Sequence, residues 1–379
     1  MNRLNYYFPC LIVFLFASLY GCGDINTEQN KESTEEKMTE LPYDETAKVE
    51  KVARDVYVII HQDATDEWPH SNVGIIIGNK EVMVIDANYL PSRARADIAL
   101  IRKLTSKPVK YLVYTHWHFD HNNGGIAYLD SFPNIKIISE KESQKYVELN
   151  AAWWSKMSTA SSSAKRANLK NLEDELAKGT DTAGIKYSDE ERNKRESIIV
   201  KRKNEMEELA SLKVVEPNTV FEGGTELSLG KRKVVLKDWG KANSPHDVTI
   251  YLPDEQILFT GDIVVQSPLP YTGASWPLPW VKVLKQLEGM PVKRLVPGHG
   301  PVQNDFAYTR QVRSFFEDAI SRVEALIREG KTLPEIQQQI DLNDHLKYPW
   351  NKDREAINDF KLTVEMLVER IWRGVRGQG

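Results

Sequence analysis

The segment Thr115-His116-Trp117-His118-Phe119-Asp120-His121 places three imidazoles and a carboxylate within six residues. Imidazole and carboxylate are the ligands that a borderline cation such as zinc accepts where thiolates are lacking. Alternate residues of an extended segment point the same way, so His116 and His118 can grip one ion while Asp120 and His121 serve a second. The chain has 2 cysteines, both within its first 22 residues. A metal site farther along must therefore be built from His, Asp, Glu or Asn.

Such a cluster needs rigid strand ends to aim it. Val109 to Tyr114, immediately upstream, reads as a buried strand, and residues 91–105 read as a helix with Ile98, Leu100, Ile101 and Leu104 on one side. Earlier still, Val56, Val58 and Ile60 alternate, Val73 to Ile77 form an apolar run, and Glu81 to Ile85 alternate up to Asp86. A second strand-rich block runs from Thr225 to Val265, with candidate strands at Glu226 to Leu229, Lys233 to Leu236, Val248 to Leu252 and Gln256 to Phe259. Arg294 to Val296 adds a further β signal before Pro297. Two β-rich blocks joined and flanked by helices predict an α/β sandwich in which two sheets face each other beneath outer helices.

Between the blocks, residues 140–215 predict a highly charged helical insertion. Gly179 is placed to end one helix, and Ser188 with Glu191 three residues on forms a capping box for the next. The insertion reads as a solvated excursion, with Trp153 and Trp154 keeping a protein-partner surface open as the alternative. Tyr308, Val312, Phe315, Ala319, Val323 and Leu326 recur at helical spacing up to Gly330, and Phe360, Val364, Leu367 and Ile371 repeat the pattern in a terminal helix.

The motif HWHFDH resembles the HxHxDH signature of the metallo-β-lactamase superfamily, and further pieces follow in that family's order: Asp86 at a strand end, the loop Asn243 to Asp247, Thr260-Gly261-Asp262, and Pro297-Gly298-His299-Gly300. The resemblance covers roughly residues 50–305. It implies a four-layered αββα sandwich with its metals at one edge of the two sheets. It also implies His116 and His118 as ligands of a first zinc ion, Asp120, His121 and His299 as ligands of a second, and Asp262 as a bridge between them. Asp86 is expected to brace the ligand loop by hydrogen bonds. Asn243 stands where the family carries a third histidine for the first ion, which implies a weakened first site held by Asn243 directly or through water, with His246 as the alternative ligand. His61 and His70, in the loop before Asn72, and His345 are left out of the site as solvated or isolated histidines.

Two close metal ions generate a hydroxide near neutral pH and polarise the oxygen it attacks. The chemistry implied is therefore hydrolysis of a small-molecule ester, lactone, amide or phosphodiester, with Asp120 orienting the hydroxide. A β-lactam is one candidate only, since Val265 stands three residues after Asp262 where many thiolate-ligand lactamases carry lysine. A binding lipoprotein, in which Asn243 disables the first ion and the insertion meets a partner, is the reading from another class.

The rest of the composition sets bounds. Of 379 residues, 41% are hydrophobic, enough for one large core with appendages. The 50 Lys and Arg against 54 Asp and Glu leave a net charge of -4, so no basic field exists to attract nucleic acid. Arg3, an apolar run from Tyr6 to Leu19, and Leu19-Tyr20-Gly21-Cys22 resemble a bacterial lipoprotein signal. The expected organisation is a signal over 1–21, a lipidated Cys22 opening a polar tether over 22–48, the sandwich over 49–304 and a helical region over 305–379. The enzyme would be exported and held on a membrane, on the periplasmic or cell-surface side.

Overall fold

Alternation along a strand sorts side chains onto two faces. In the strand Val56–His61, Val56 and Val58 enter one apolar cluster and Ile59 another, as a period of two requires. A computed structural model describes residues 47–64, 69–180, 184–266, 269–347 and 354–378, without the side chains at 150, 152–165 and 346–359. The signal, Cys22, nearly all of the tether, and the indoles of Trp153 and Trp154 lie outside the described residues. No helix among the described residues is long and apolar enough to cross a membrane.

One sheet holds β1 (Ala47–Ala53), β2 (Val56–His61), β3 (Val73–Ile77), β4 (Val82–Ile85), β5 (Val109–Val113), β6 (Lys136–Glu140) and β7 (Thr219–Phe221), in that spatial order. Pairing is antiparallel from β1 to β4 and parallel from β4 to β7. The other holds β8 (Gly224–Leu229), β9 (Arg232–Asp238), β10 (Val248–Leu252), β11 (Ile257–Phe259) and β12 (Arg294–Val296), antiparallel except for β11 with β12. Met83, Ile85 and Val113 of the first sheet meet Leu236, Ile250 and Phe259 of the second in the central core.

Helices close both outer faces. α1 (Pro91–Leu104) precedes β5, and two short helices, α2 (Phe119–Asn122) and α3 (Gly125–Ser131), follow it. Ile98 and Ile101 of α1 and Tyr128 of α3 cover the outside of the first sheet. α4 (Lys141–Lys178) and α5 (Asp189–Ala210) form the insertion. α6 (Pro277–Leu287), α7 (Ala307–Arg328), α8 (Leu333–Gln339) and α9 (Arg354–Val375) complete the chain. Trp280, Phe316 and Phe360 from three of these last helices pack with Leu258 and Leu295 on the outside of the second sheet. The result is the four-layered αββα sandwich, since each sheet must bury both of its apolar faces.

The insertion starts within one residue of the 140 that the charge pattern suggests, at Lys141. Lys136–Glu140 pairs with β5 and β7 as a strand, and the Glu140 carboxylate then caps α4 by accepting from the amides of Glu142 (2.6 Å) and Ser143 (3.1 Å). Gly179, at φ +70°, ends α4, and the Ser188–Glu191 capping box opens α5.

Candidate metal centre

Parallel pairing brings the carboxyl ends of β4 and β5 to one edge. Ile85 and Val113 are register partners, so Asp86 and Tyr114-Thr115 leave the sheet side by side. In the second sheet Phe259 is opposite Val296, and the turns that follow carry Asp262 and His299. Ligand sites on open α/β sheets gather at such strand ends. Two groups of ligand atoms converge there, each mutually within 4.8 Å: Asp120, His121, Asp262 and His299, and His116, His118 and Asp262. Asp262 belongs to both.

Asp86 sets the protonation pattern. Its Oδ1 accepts from the Thr115 amide at 2.8 Å, and its Oδ2 accepts from the Thr115 hydroxyl at 2.9 Å and from His121 Nδ1 at 2.8 Å. Since that hydroxyl proton points at Asp86, the Thr115 oxygen is left to accept from His116 Nδ1 at 3.0 Å. His299 Nδ1 donates to the carbonyl of His70 at 3.0 Å. In the neutral ring, each of these three histidines therefore turns an unprotonated Nε2 toward the centre. Asp86 sits at φ +62°, a conformation that costs energy for a residue other than glycine.

The consequence is a set of lone pairs facing one another. His121 Nε2 lies 3.2 Å from His299 Nε2 and 3.2 Å from Asp262 Oδ1. His299 Nε2 is 3.2 Å from Asp120 Oδ2, and His116 Nε2 is 3.7 Å from Asp262 Oδ2. His116 Nε2, Asp262 Oδ1 and Asn243 Oδ1 are buried without a hydrogen-bond partner. Buried acceptors in this number are stable only around cations, so the residues present fit a metal.

The electrostatics agree. Burial pushes His121 and His299 down, but Asp262 and the other carboxylates outweigh it and hold both imidazoles above the usual histidine range. His116 is held well below that range by burial and by the neighbouring imidazoles His121 and His118. Burial likewise lowers His118, against the pull of Asp120 and Asp262. For Asp262, burial is outweighed by His121 and His299, and its carboxyl is held far below the carboxylate range.

Asn243 is fully buried, and its Nδ2 donates to the carbonyl of Tyr271 at 2.8 Å. His246 does not stand in for a first-ion ligand: its Nδ1 is 3.0 Å from Asp238 Oδ2 and 3.5 Å from Glu140 Oε2, in a separate group with those two acids. The loop turns it toward acids already present at the ends of β6 and β9. His61 and His70 are not solvated. His61 ends β2 with Nε2 3.1 Å from Asp97 Oδ1, and His70 is 2% exposed behind His299. His345 pairs with Asp318 at 2.8 Å.

Several residues that position the centre were given no role by the sequence alone. Thr115 relays Asp86 to His116, and the His70 carbonyl fixes His299. Asn72 ties down the loop of His299, its amide donating to the Gly298 carbonyl (2.7 Å) and its side chain to the carbonyls of Pro297 (2.9 Å) and Gly300 (2.8 Å). Gly298 admits the Asp262 carboxylate, since a Cβ there would fall 2.0 Å from Oδ1. Asp247 accepts from the Ser244 amide at 2.7 Å, and burial pushes its carboxyl up to about 7.

A family model described as the metallo-beta-lactamase superfamily matches residues 66–299. The linear primary-alkylsulfatase of Pseudomonas sp. (strain ATCC 19151) is 22% identical over 308 residues, which is 78% of this chain and 54% of that protein. The chain thus spans about half the length of that curated relative. A solved stereoselective inverting sec-alkylsulfatase from Pseudomonas sp. is 16% identical with a TM-score of 0.59, over 86% of this chain and 50% of that one. A metallo-beta-lactamase from Pontibacter korlensis is 17% identical with a TM-score of 0.50, over 72% of this chain and 99% of that one. Both structural likenesses are of fold.

Proposed function

The chain belongs to the metallo-beta-lactamase superfamily, and we propose that it is a zinc hydrolase that cleaves the sulfate ester of an apolar alcohol. The observation that carries the hydrolase reading is the single carboxylate, Asp262, shared by two ligand groups in which His116, His121 and His299 present bare Nε2 atoms. His116, His118 and Asp262 would hold one ion, with Asn243 Oδ1 as a weak ligand or water partner, and Asp120, His121, Asp262 and His299 would hold the other. When bound, zinc supplies Lewis acidity and lowers the pKa of water from 15.7 to about 7.

The chain's own groups do the remaining work. Asp120 sits at the edge of its group, 3.2 Å from His299 and 3.6 Å from His121, where its carboxylate can orient the attacking water and take up its proton. Asp86 and Thr115 keep His116 and His121 in the ligating tautomer throughout. Beside the centre, the rings of Trp117 and Tyr271 lie 4.7 and 6.1 Å from that of His118, and Tyr146 of α4 lies 5.9 Å from Trp117. This aromatic wall, with Tyr271 half exposed, suits an apolar group on the ester oxygen and excludes water from it.

Sulfate esters are favoured over β-lactams because the curated relative is an alkylsulfatase. The test is a panel of alkyl sulfate, β-lactam, lactone and phosphodiester on the zinc-loaded protein. Sulfate release from a medium-chain alkyl sulfate is expected, and turnover of another class without it would overturn the substrate assignment. The lipid at Cys22 belongs to the same proposal: Cys22→Ser should lose label from a metabolically supplied fatty acid.

A further inference from the structure

A cleft of about 240 Å³ lies between the start of α6 and the end of α9, lined among others by Lys241, Ser275, Trp276 and Arg370. Two cations address one indole there. Lys241 Nζ is 5.1 Å from the Trp276 ring centroid, and Arg370 Cζ is 4.9 Å from it. Arg370 donates from Nε to the Ser275 carbonyl at 2.5 Å.

Neither cation has a carboxylate partner among the described residues. Glu369, the acid beside Arg370 in sequence, is held by Arg373 at 2.6 Å. Burial and then the Arg373 charge lower the pKa of Arg370, with Glu369 opposing. The first turn of α6 holds Pro277 and Pro279, which carry no N–H, so the two side-chain cations are the source of positive charge there. Unbalanced positive charge in a partly enclosed cleft costs energy that a bound anion removes, and a guanidinium fork is suited to an oxyanion.

We propose that this cleft binds a doubly charged free oxyanion, sulfate or phosphate, between Lys241 and Arg370. None of the metal-centre side chains lines it, so it is a second site whatever substrate the centre takes. The two are nonetheless linked: the Trp276 amide donates to the Ala242 carbonyl at 2.8 Å, next to Asn243, so an anion there braces the loop that carries Asn243.

The test is calorimetric titration of the zinc-loaded protein with sodium sulfate, at ionic strength held constant by chloride. A saturable event is expected, weakened about ten-fold or more in Lys241→Ala and in Arg370→Gln, with zinc content unchanged. Arg370→Gln also loses the bond to Ser275, so if that variant fails to fold, Lys241→Ala decides alone, since its side chain is exposed. An unchanged isotherm in Lys241→Ala overturns the proposal, as does the absence of any saturable event in the wild type. Sulfate held only at the metal centre would give the reverse pattern, kept in Lys241→Ala and lost when His116→Ala is combined with His118→Ala, and this also overturns it.

Discussion

Replacing Asp86 by asparagine tests the idea that one carboxylate fixes the tautomers of both ligand groups. The change keeps the shape, the bond from the Thr115 amide to Oδ1 survives, and asparagine tolerates a φ of +62°. At the Oδ2 position, however, an amino group now faces the Thr115 hydroxyl and His121 Nδ1, which both donated to it at 2.9 and 2.8 Å. Each can accommodate the new donor only by accepting from it. His121 must then carry its proton on Nε2, and Thr115, turning its own proton toward His116, drives that ring's proton to Nε2 as well. Each charge-assisted bond lost corresponds to about 1.5–3 kcal/mol, so zinc affinity should fall about 10–100-fold in each group. Competition against a chromophoric chelator reads the two constants, with circular dichroism as the check on folding. Thr115→Val interrupts only the arm to His116, so it should weaken one constant and spare the other. A folded Asp86→Asn protein whose constants both stay within about three-fold of wild type would refute the reasoning.

Gly298→Ala drives a methyl group to 2.0 Å from Asp262 Oδ1 and 2.8 Å from the Gly261 carbonyl carbon; turnover should fall about 100-fold or more, with zinc content reduced, and wild-type values for both would contradict the close approach. Asn243→His should tighten the weaker zinc constant, because imidazole replaces a neutral amide oxygen, and identical constants in both proteins would remove Asn243 from the first site. The zinc-induced rise in melting temperature should grow as pH rises above about 6.5. In the metal-free protein His121 and His299 titrate above their unfolded value of 6.5, so the stability they contribute is complete below that value. It is lost as pH rises through their raised folded values, leaving lone pairs and carboxylates that zinc then compensates. A rise that shrinks with pH would contradict this sign.

The elements that local pattern controls were legible in the chain. Alternation marked β2 and β4, the period of 3.6 marked α1 and α7, and the cap chemistry of Gly179, Ser188 and Glu191 marked the helix ends, because each depends on side chains a few residues apart. The crowding of His116, His118, Asp120 and His121 after a buried strand was legible for the same reason. β6 escaped notice because Lys136 to Glu140 is made a strand by its neighbours β5 and β7, not by its own alternation. His246 and Asn243 lie three residues apart in one loop, and spacing could not say whether His246 joins the ligand groups. That was decided by Asp238 and Glu140, which the ends of β9 and β6 bring to His246 Nδ1. The tautomers of His116, His121 and His299 depend on a hydroxyl proton, a carboxylate 35 residues upstream of His121, and the carbonyl of His70, 229 residues from His299. A backbone carbonyl is the same group at every residue, so no sequence pattern marks the one that receives a proton; only the packing of strand ends from both sheets puts it there.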